Sequence, residues 1–244
     1  MPGESRFGDL EPLLDRVTKP IQYVGGELNS QVKDWDCGGH GPEGQPLTTR
    51  WALMYPDAYE VGVPNQGVMI LYEVINERPD ALAERTYAVW PDMEALLRES
   101  SVPQLTVDGH RAVGDFDLFG VSFSTELGYT NFLTALDLAG IPLRSCDRTD
   151  GAPIVVAGGH ASFNPEPIAD YVDAVVVGDG EQAALAITDL TRAWKSEGMP
   201  GGRHGLLLRL AQSGVAYIPA AYDVSYLPDG RIHRAAPKAS WPGI

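Results

Sequence analysis

The sequence predicts an α/β fold built on a doubly wound, five-stranded parallel sheet, and three observations predict it. Short apolar runs of strand length alternate with longer stretches whose apolar residues recur at helical spacing. Residues 154–157 and 174–177 are β-branched runs without polar alternation, as a sheet buried on both faces demands. The intervening stretches supply the crossovers that parallel neighbours need. Composition agrees: 244 residues, 44% hydrophobic and 21% charged, make a globular chain long enough to bury a core.

Residues 1–50 read as an N-terminal extension. Leu10, Leu13, Leu14 and Val17 form a short amphipathic stretch, and the Gly- and Pro-rich run from Cys37 to Pro46 is a loop. Cys37 and His40 have a spacing that metal ligands use, but no second pair lies nearby to complete a four-ligand site, so no metal is expected there. Residues 51–198 form the main domain. Its first strand, 51–55, ends at Pro56-Asp57, and Val68, Leu71, Tyr72 and Ile75 then share one helical face before Pro79. Residues 86–90 are strand-like, and Met93, Leu96 and Leu97 make a helical stripe opened by Pro91-Asp92. Residues 104–113 read as a hairpin turning at Asp108-Gly109. The run 118–123 is a strand, and Leu133 and Leu136 mark a helix closed by Gly140 and Pro142.

After the strands at 154–157 and 174–177 comes a helix with Ala183, Ala186, Ile187, Leu190 and Trp194 on one face. Glu181 stands in its first turn, Arg192 and Lys195 in its last and Gly198 beyond its end, all in agreement with the helix dipole. Residues 199–244 predict a short helix near 206–210, a hairpin (222–226 and 231–234) about Pro228-Asp229-Gly230, and a linker. The class is therefore Rossmann-like or flavodoxin-like, with a small C-terminal β appendage.

Lys and Arg total 18 against 33 Asp and Glu, a net charge of −15 that repels phosphate backbones and anionic headgroups. Neither nucleic acid nor membrane is expected as a partner. No stretch approaches the roughly 20 apolar residues of a membrane span, and no signal-peptide h-region opens the chain, so a cytoplasmic location is expected. Cys37 and Cys146 cannot build a disulfide framework or, alone, hold an iron–sulfur cluster. An independent hydrolase would want a G-x-S-x-G elbow or a metal cluster, and the sequence has neither.

In an open α/β sheet the ligand crevice lies outside the carboxyl ends of the strands. Four loops matter: the first holds Asp57 and Asn65, the second Ser122, Ser124 and Thr125. The third holds Gly158, Gly159 and His160, the fourth Gly178, Asp179, Gly180 and Glu181. They offer glycines for close approach, hydrogen-bonding groups and carboxylates. Asp57 and Glu60 stand where a phosphate cradle would be uncharged, and Ser122 and Ser124 where a receiver domain would carry its aspartate. Residues 178–181 lack the spacing of a dinucleotide fingerprint, and their acids would oppose a pyrophosphate. They can equally be a tight turn whose acid satisfies helix donors. A large, mostly neutral ligand bearing many amides suits this rim better than a nucleotide.

Gly158-Gly159, Asn164-Pro165-Glu166-Pro167, Asp173 and Gly178-Asp179-Gly180-Glu181 together resemble the N-terminal cobalamin-binding domain of cobalamin-dependent radical S-adenosylmethionine (SAM) proteins. Pro56-Asp57-Ala58-Tyr59-Glu60-Val61-Gly62 with Asn65 and Gly67, Thr125-Glu126-Leu127, and Leu138-Ala139-Gly140-Ile141-Pro142 extend the likeness to a bacterial subgroup, over residues 18–236. The resemblance implies a Rossmann-like domain that binds cobalamin ahead of a barrel holding a [4Fe–4S] cluster and SAM. Many such proteins transfer methyl groups or do other radical chemistry. Their barrels carry a CxxxCxxC motif, whereas this chain has only Cys37 and Cys146.

It is therefore expected to be the cobalamin-binding module alone, cut short before the barrel and not catalytic by itself. The barrel would be its partner in cis or in trans, with the cluster and SAM confined to that missing domain. The alternative is a non-catalytic scaffold whose cofactor site has decayed. On the resemblance, the crevice residues named above form the corrin-facing rim, with no catalytic residue and no metal ligand among them. Other cobalamin domains use DxHxxG, whose histidine replaces dimethylbenzimidazole on cobalt. The run from Asp108 through His110 to Gly114 comes close, but its glycine is one residue late and it falls on the expected hairpin. His110 is accordingly expected to be a hairpin residue, His160 to hydrogen-bond within its own loop, and cobalt to carry no protein histidine.

Overall fold

The computed structural model describes residues 2–244. Five parallel strands, β1 (Thr49–Tyr55), β2 (Ala81–Tyr87), β3 (Leu118–Ser122), β4 (Ile154–Gly158) and β5 (Ala174–Val175), form one sheet in the order β2-β1-β3-β4-β5. The helices are α1 (Phe7–Leu14), α2 (Tyr59–Gly62), α3 (Gln66–Asn76), α4 (Pro91–Ser100), α5 (Tyr129–Leu138), α6 (Gly180–Ser196) and α7 (Gly202–Ser213). An antiparallel pair, β6 (Tyr222–Tyr226) and β7 (Ile232–Pro237), makes the C-terminal appendage. The fold class is the one the sequence predicts, and its strand order reverses between β1 and β3, the point where such sheets open a crevice.

Side chains alternate across the sheet, which divides the core in two. Trp51, Leu53, Leu118, Ile154, Val156 and Ala174 face α3, α6 and α7, meeting Val68, Tyr72, Ile75, Ile187 and Leu210. Ala52, Met54, Phe119, Val121, Val155 and Ala157 face the other way, onto Phe132, Ala135 and Leu136 of α5. A third cluster joins Leu10 and Leu13 of α1 to Met93, Leu96 and Leu97 of α4, so the amphipathic stretch near the N-terminus is a docked helix.

Several expectations need correction. The second strand is Ala81–Tyr87 rather than 86–90, and it runs through Glu84 and Arg85, both fully buried. Arg85 faces the α3 side and pairs with Asp108 (2.7 Å) and Glu27 (3.1 Å), and Glu84 faces the other side against Arg111. Periodicity reads charge as exposure, and here distant partners cancel the charge.

The expected hairpin at 104–113 pairs its arms through one antiparallel bridge, Leu105 to Ala112, with the Thr106 N–H donating to the Arg111 carbonyl (2.9 Å) and the Val113 N–H to the Gln104 carbonyl (3.0 Å), and it forms no regular strand. Its first half instead covers the free edge of β2: the Val107 N–H donates to the Arg85 carbonyl (2.8 Å), and the Asp108 carboxylate accepts from the Arg85 N–H (2.7 Å). An edge strand left open invites pairing with another chain, and this segment closes it. On α6, Lys195 is buried, pairing with Asp117 (2.6 Å) and donating to the Thr48 carbonyl, so it serves the sheet's lower edge more than the helix dipole. The β4–β5 connection holds only short 3₁₀ turns, and Trp241, read as linker, is buried against the core with its ring on His204 (4.5 Å).

Candidate functional site

The crevice is built by missing side chains. On the face of the sheet turned to α3 and α6, β3 presents Leu118, Gly120 and Ser122, and the adjacent β4 presents Ile154, Val156 and Gly158. A Cβ at Gly120 would lie 3.0–3.1 Å from the side chains of Leu53 and Trp51, whereas one at Gly158 would meet nothing within 4 Å. Glycine inside a strand often marks such a close approach or open space. The result is a cavity of about 470 Å³ between the sheet and the two helices. Its floor and walls are apolar: Trp51, Leu53, Val156 and Val176 from the sheet, Val68 and Leu71 from α3, Ala184 and Ile187 from α6. At the deep end the Trp51 indole N–H donates to the Thr188 hydroxyl (2.9 Å), which itself donates to the Ala184 carbonyl (2.7 Å), so the floor leaves no buried donor free there.

The mouth is polar. Ser122, Gly158, Gly159 and His160 border it from β3 and β4, and Gly178, Asp179, Gly180 and Glu181 from the start of α6. These eight of the residues expected at the rim are brought together here. The other four stand apart from the cavity lining. The Asn65 side chain caps α3, accepting from the Val68 N–H (3.0 Å), and Asp57 accepts from the Ala58 N–H (2.7 Å). Ser124 is half-buried and Thr125 exposed, both beyond the end of β3. Gly159 also has a different reason to be glycine than ligand approach. Its φ is +91°, and a Cβ would sit 2.5 Å from the Phe123 carbonyl oxygen, so the protein's own backbone is what comes close. Gly178, at φ +119°, has open space around it.

His160 is exposed and its ring makes no hydrogen bond to any described residue, so the expected side-chain bond within its loop is not formed. His110 lies away from the crevice: its ring contacts the Tyr23 carbonyl (3.1 Å) and Phe7, and burial lowers its pKa. Cys37 faces the Ala81 carbonyl, Cys146 is exposed, and among the described residues no three His, Cys, Asp or Glu gather as a metal cluster would.

Several displaced ionisations belong to the side chains gathered around β2. Burial pushes the Tyr59 and Tyr72 hydroxyls up to about 12 and raises the Glu84 carboxyl. That cluster is structural: Tyr72 on α3 donates to Asp108 (3.1 Å) and accepts from the Gln31 N–H, pinning the helix that forms one cavity wall. Sequence reasoning found the mouth and missed the floor, whose one signal is Gly120 inside an otherwise apolar strand.

Each crevice loop also exposes one large apolar side chain: Val61, Leu127, Phe163 and Val177. No helix among the described residues is long and apolar enough to cross a membrane. The sequence pattern of the family described as "Radical SAM proteins, N-terminal" matches residues 67–219, more than half of the chain and nearly all of the crevice except the β1 floor. No curated protein and no solved structure matches.

Proposed function

This chain belongs to the family of N-terminal domains of radical SAM proteins, and from that membership we propose that it is a cobalamin-binding module working with a radical SAM barrel. The observation that carries the reading is the two-part crevice, an apolar slot of about 470 Å³ opening onto a mouth of glycines, a hydroxyl, an imidazole and two carboxylates. A corrin is a broad, nearly neutral ring edged with amides and carrying an aromatic base on a tail. Ring amides suit acceptors such as Asp179 and Glu181, which a pyrophosphate would not, and the aromatic base suits the slot, whose polarity it shares. The macrocycle would lie across the polar mouth, with the apolar slot beneath it.

Bound there, cobalamin would supply a cobalt centre able to carry an alkyl group. The chain's own part is to hold and orient it. Gly158 and Gly178 leave room over the mouth, and Val68, Leu71 and Ile187 keep water from the slot. Orientation of this kind is the contribution a protein makes when the cofactor does the chemistry. The apolar rim of Val61, Leu127, Phe163 and Val177 supports a barrel closing over the same edge, in cis or in trans, bringing the cluster and SAM that relatives use. Mixing the chain with hydroxocobalamin, desalting and recording the corrin absorption tests the reading. A retained pigment near one equivalent is the expected result, and a colourless protein would instead favour a scaffold with a decayed site.

A further inference from the structure

We propose that the N-terminal strap, residues 19–31, is a latch that holds one wall of the cavity in its binding position, with the Glu27 carboxylate as its positioning residue. Residues 19–31 lie outside the matched family segment, and the latch rests on the cavity being the ligand site, as proposed above.

That wall has a fixed end and a loose one. At the C-terminal end of α3 the Asn76 side chain donates to the Ala83 carbonyl (2.9 Å) and accepts from the Ala83 N–H (3.0 Å), and the Lys33 ammonium donates to the Asn76 carbonyl (2.9 Å). One turn earlier, Tyr72 is bonded to Asp108 (3.1 Å). Towards the mouth, Gly67, Val68 and Leu71 line the cavity, and this half of α3 is linked to the sheet by a weak bond from Arg85 to the Met69 sulfur (3.4 Å). The preceding α2 is a single turn of four residues, too short to hold a helix by its own hydrogen bonds. Its position is set by its partners: the Tyr59 ring packs edge-on against Tyr87 (centroids 5.5 Å apart), and its side-chain hydrogen bonds go to the strap.

The strap joins the loose end to the sheet. Ser30 donates to Asp108 (2.5 Å), the Gln31 N–H donates to the Tyr72 hydroxyl (2.5 Å), and the Tyr23 hydroxyl accepts from the Trp90 N–H (3.1 Å), so the strap is itself fastened to the β2 side of the fold. From there Lys19 pairs with Glu60 (2.9 Å), and the buried Gln22 side chain donates to both Glu60 oxygens (2.9 and 3.0 Å). Glu27 spans the gap: one oxygen accepts from the Tyr59 hydroxyl of α2 (2.6 Å), the other from the fully buried Arg85 of β2 (3.1 Å). Burial, and then the bond to Glu27, push the Tyr59 hydroxyl up to about 12, so this donor keeps its proton at any ordinary pH. A carboxylate that grips the crevice loop with one oxygen and the sheet with the other passes the position of the strap on to the cavity wall.

Hydrogen exchange of the full chain, read peptide by peptide, tests the latch in Glu27→Ala, Glu27→Gln, Tyr59→Phe and the double variant that combines Glu27→Ala with Tyr59→Phe. Arg85 keeps Asp108 in every one of them, so the sheet edge stays paired. The expected result is exchange about tenfold faster over residues 59–71 in Glu27→Ala, in Tyr59→Phe and in the double variant alike, with residues 72–77 unchanged. Equal effects in single and double variants mean one shared tie. Glu27→Gln, whose amide oxygen still accepts from Tyr59, should stay within about twofold of wild type. Titration with hydroxocobalamin should show Kd weakened about threefold or more in Tyr59→Phe, because the wall spends less of its time in the binding position. Exchange that does not change, that rises equally at both ends of α3, or that adds in the double variant overturns the latch, and so does a Tyr59→Phe protein that binds as wild type does. A wild-type protein that retains no pigment overturns the cobalamin reading instead, and the exchange pattern then decides the latch by itself.

Discussion

Filling the slot from its mouth should separate binding from stability, because the two move in opposite directions. Gly158 ends β4 on the same face as Val156, its φ lies outside the left-handed region, and an added Cβ would meet nothing within 4 Å. Gly158→Leu therefore places an aliphatic side chain over the cavity without strain. Complete burial of a leucine side chain is worth roughly 1.5–3 kcal/mol, and at this half-open position about half of that applies. Replacing a strand glycine adds about 0.5–1 kcal/mol by removing freedom from the unfolded chain. The variant should be more stable than wild type by about 1.3–2.5 kcal/mol, seen as a rise of roughly 3–10 °C in the thermal midpoint for a chain of this length. The same leucine occupies space a cofactor tail requires, so a spectroscopic titration with hydroxocobalamin should show Kd weakened at least about tenfold, or about 1.4 kcal/mol. A Gly158→Leu protein that binds within about twofold of wild type would refute use of the slot, since its entrance would be narrowed without effect. Gly159→Ala is the contrasting case. Its Cβ falls 2.5 Å from the Phe123 oxygen at φ +91°, so it should cost about 1–3 kcal/mol of stability whether or not a ligand is present.

Two further predictions concern the buried charges of β2. Asp108→Ala leaves the fully buried Arg85 with Glu27 as its remaining carboxylate; removing one partner of a buried pair costs about 3–5 kcal/mol, and Glu27 holds the loss toward the lower end; urea unfolding should show it, and a loss under about 1 kcal/mol would mean that Glu27 or water replaces Asp108. Burial raises the Glu84 carboxyl from its ordinary 4.5, outweighing the opposing pull of Arg111 and of the Thr106 hydroxyl. The folded state thus holds the Glu84 proton more tightly than the unfolded state does. The contribution of Glu84 is fully present below about pH 4.5 and declines as pH rises through the raised folded value. Unfolding free energies of wild type and Glu84→Gln, compared across that window, should show wild type losing ground as pH rises; the opposite slope would place Arg111 in control.

What could be read from the sequence depended on whether the signal was local. The runs behind β1, β3 and β4 are apolar within themselves, so their strands were legible. β2 was displaced because Glu84, Arg85 and Thr86 interrupt it, and the groups that make those side chains buriable lie far along the chain, at Asp108, Arg111 and Leu105. Asp108-Gly109 carries a sound turn signal and the chain does turn there, but the aspartate side chain is also spent as a counter-ion to Arg85, which no local signal announces. Lys195 stands in the last turn of α6 as its sequence position predicts, but its partner Asp117 lies on another element and could not be read locally. The mouth of the site was legible because strand ends are predictable once strands are. Its floor was not, since Trp51, Leu53 and Val156 look like any core residues until it is known which face of the sheet lacks a filler.

That asymmetry between faces is the strongest argument that the slot is a site and not a packing defect. Behind the sheet, β3 contributes Phe119 and leads into Phe123, and both pack on Phe132 of α5 with ring centroids 6.4 and 5.4 Å apart, closing that layer completely. In front, the same two central strands contribute Gly120 and Gly158, and the opposing α6 begins with Gly180, whose Cβ would come 3.3 Å from Leu71. A chain that can close one layer with three phenylalanines has the means to close the other. Unfilled apolar volume forfeits dispersion contacts and weakens a core. Next to the slot, Tyr72 on the inner face of α3 is tied to Asp108 (3.1 Å), which holds that wall to the β2 edge. An apolar slot under a polar mouth suits a ligand with an apolar part and a polar edge.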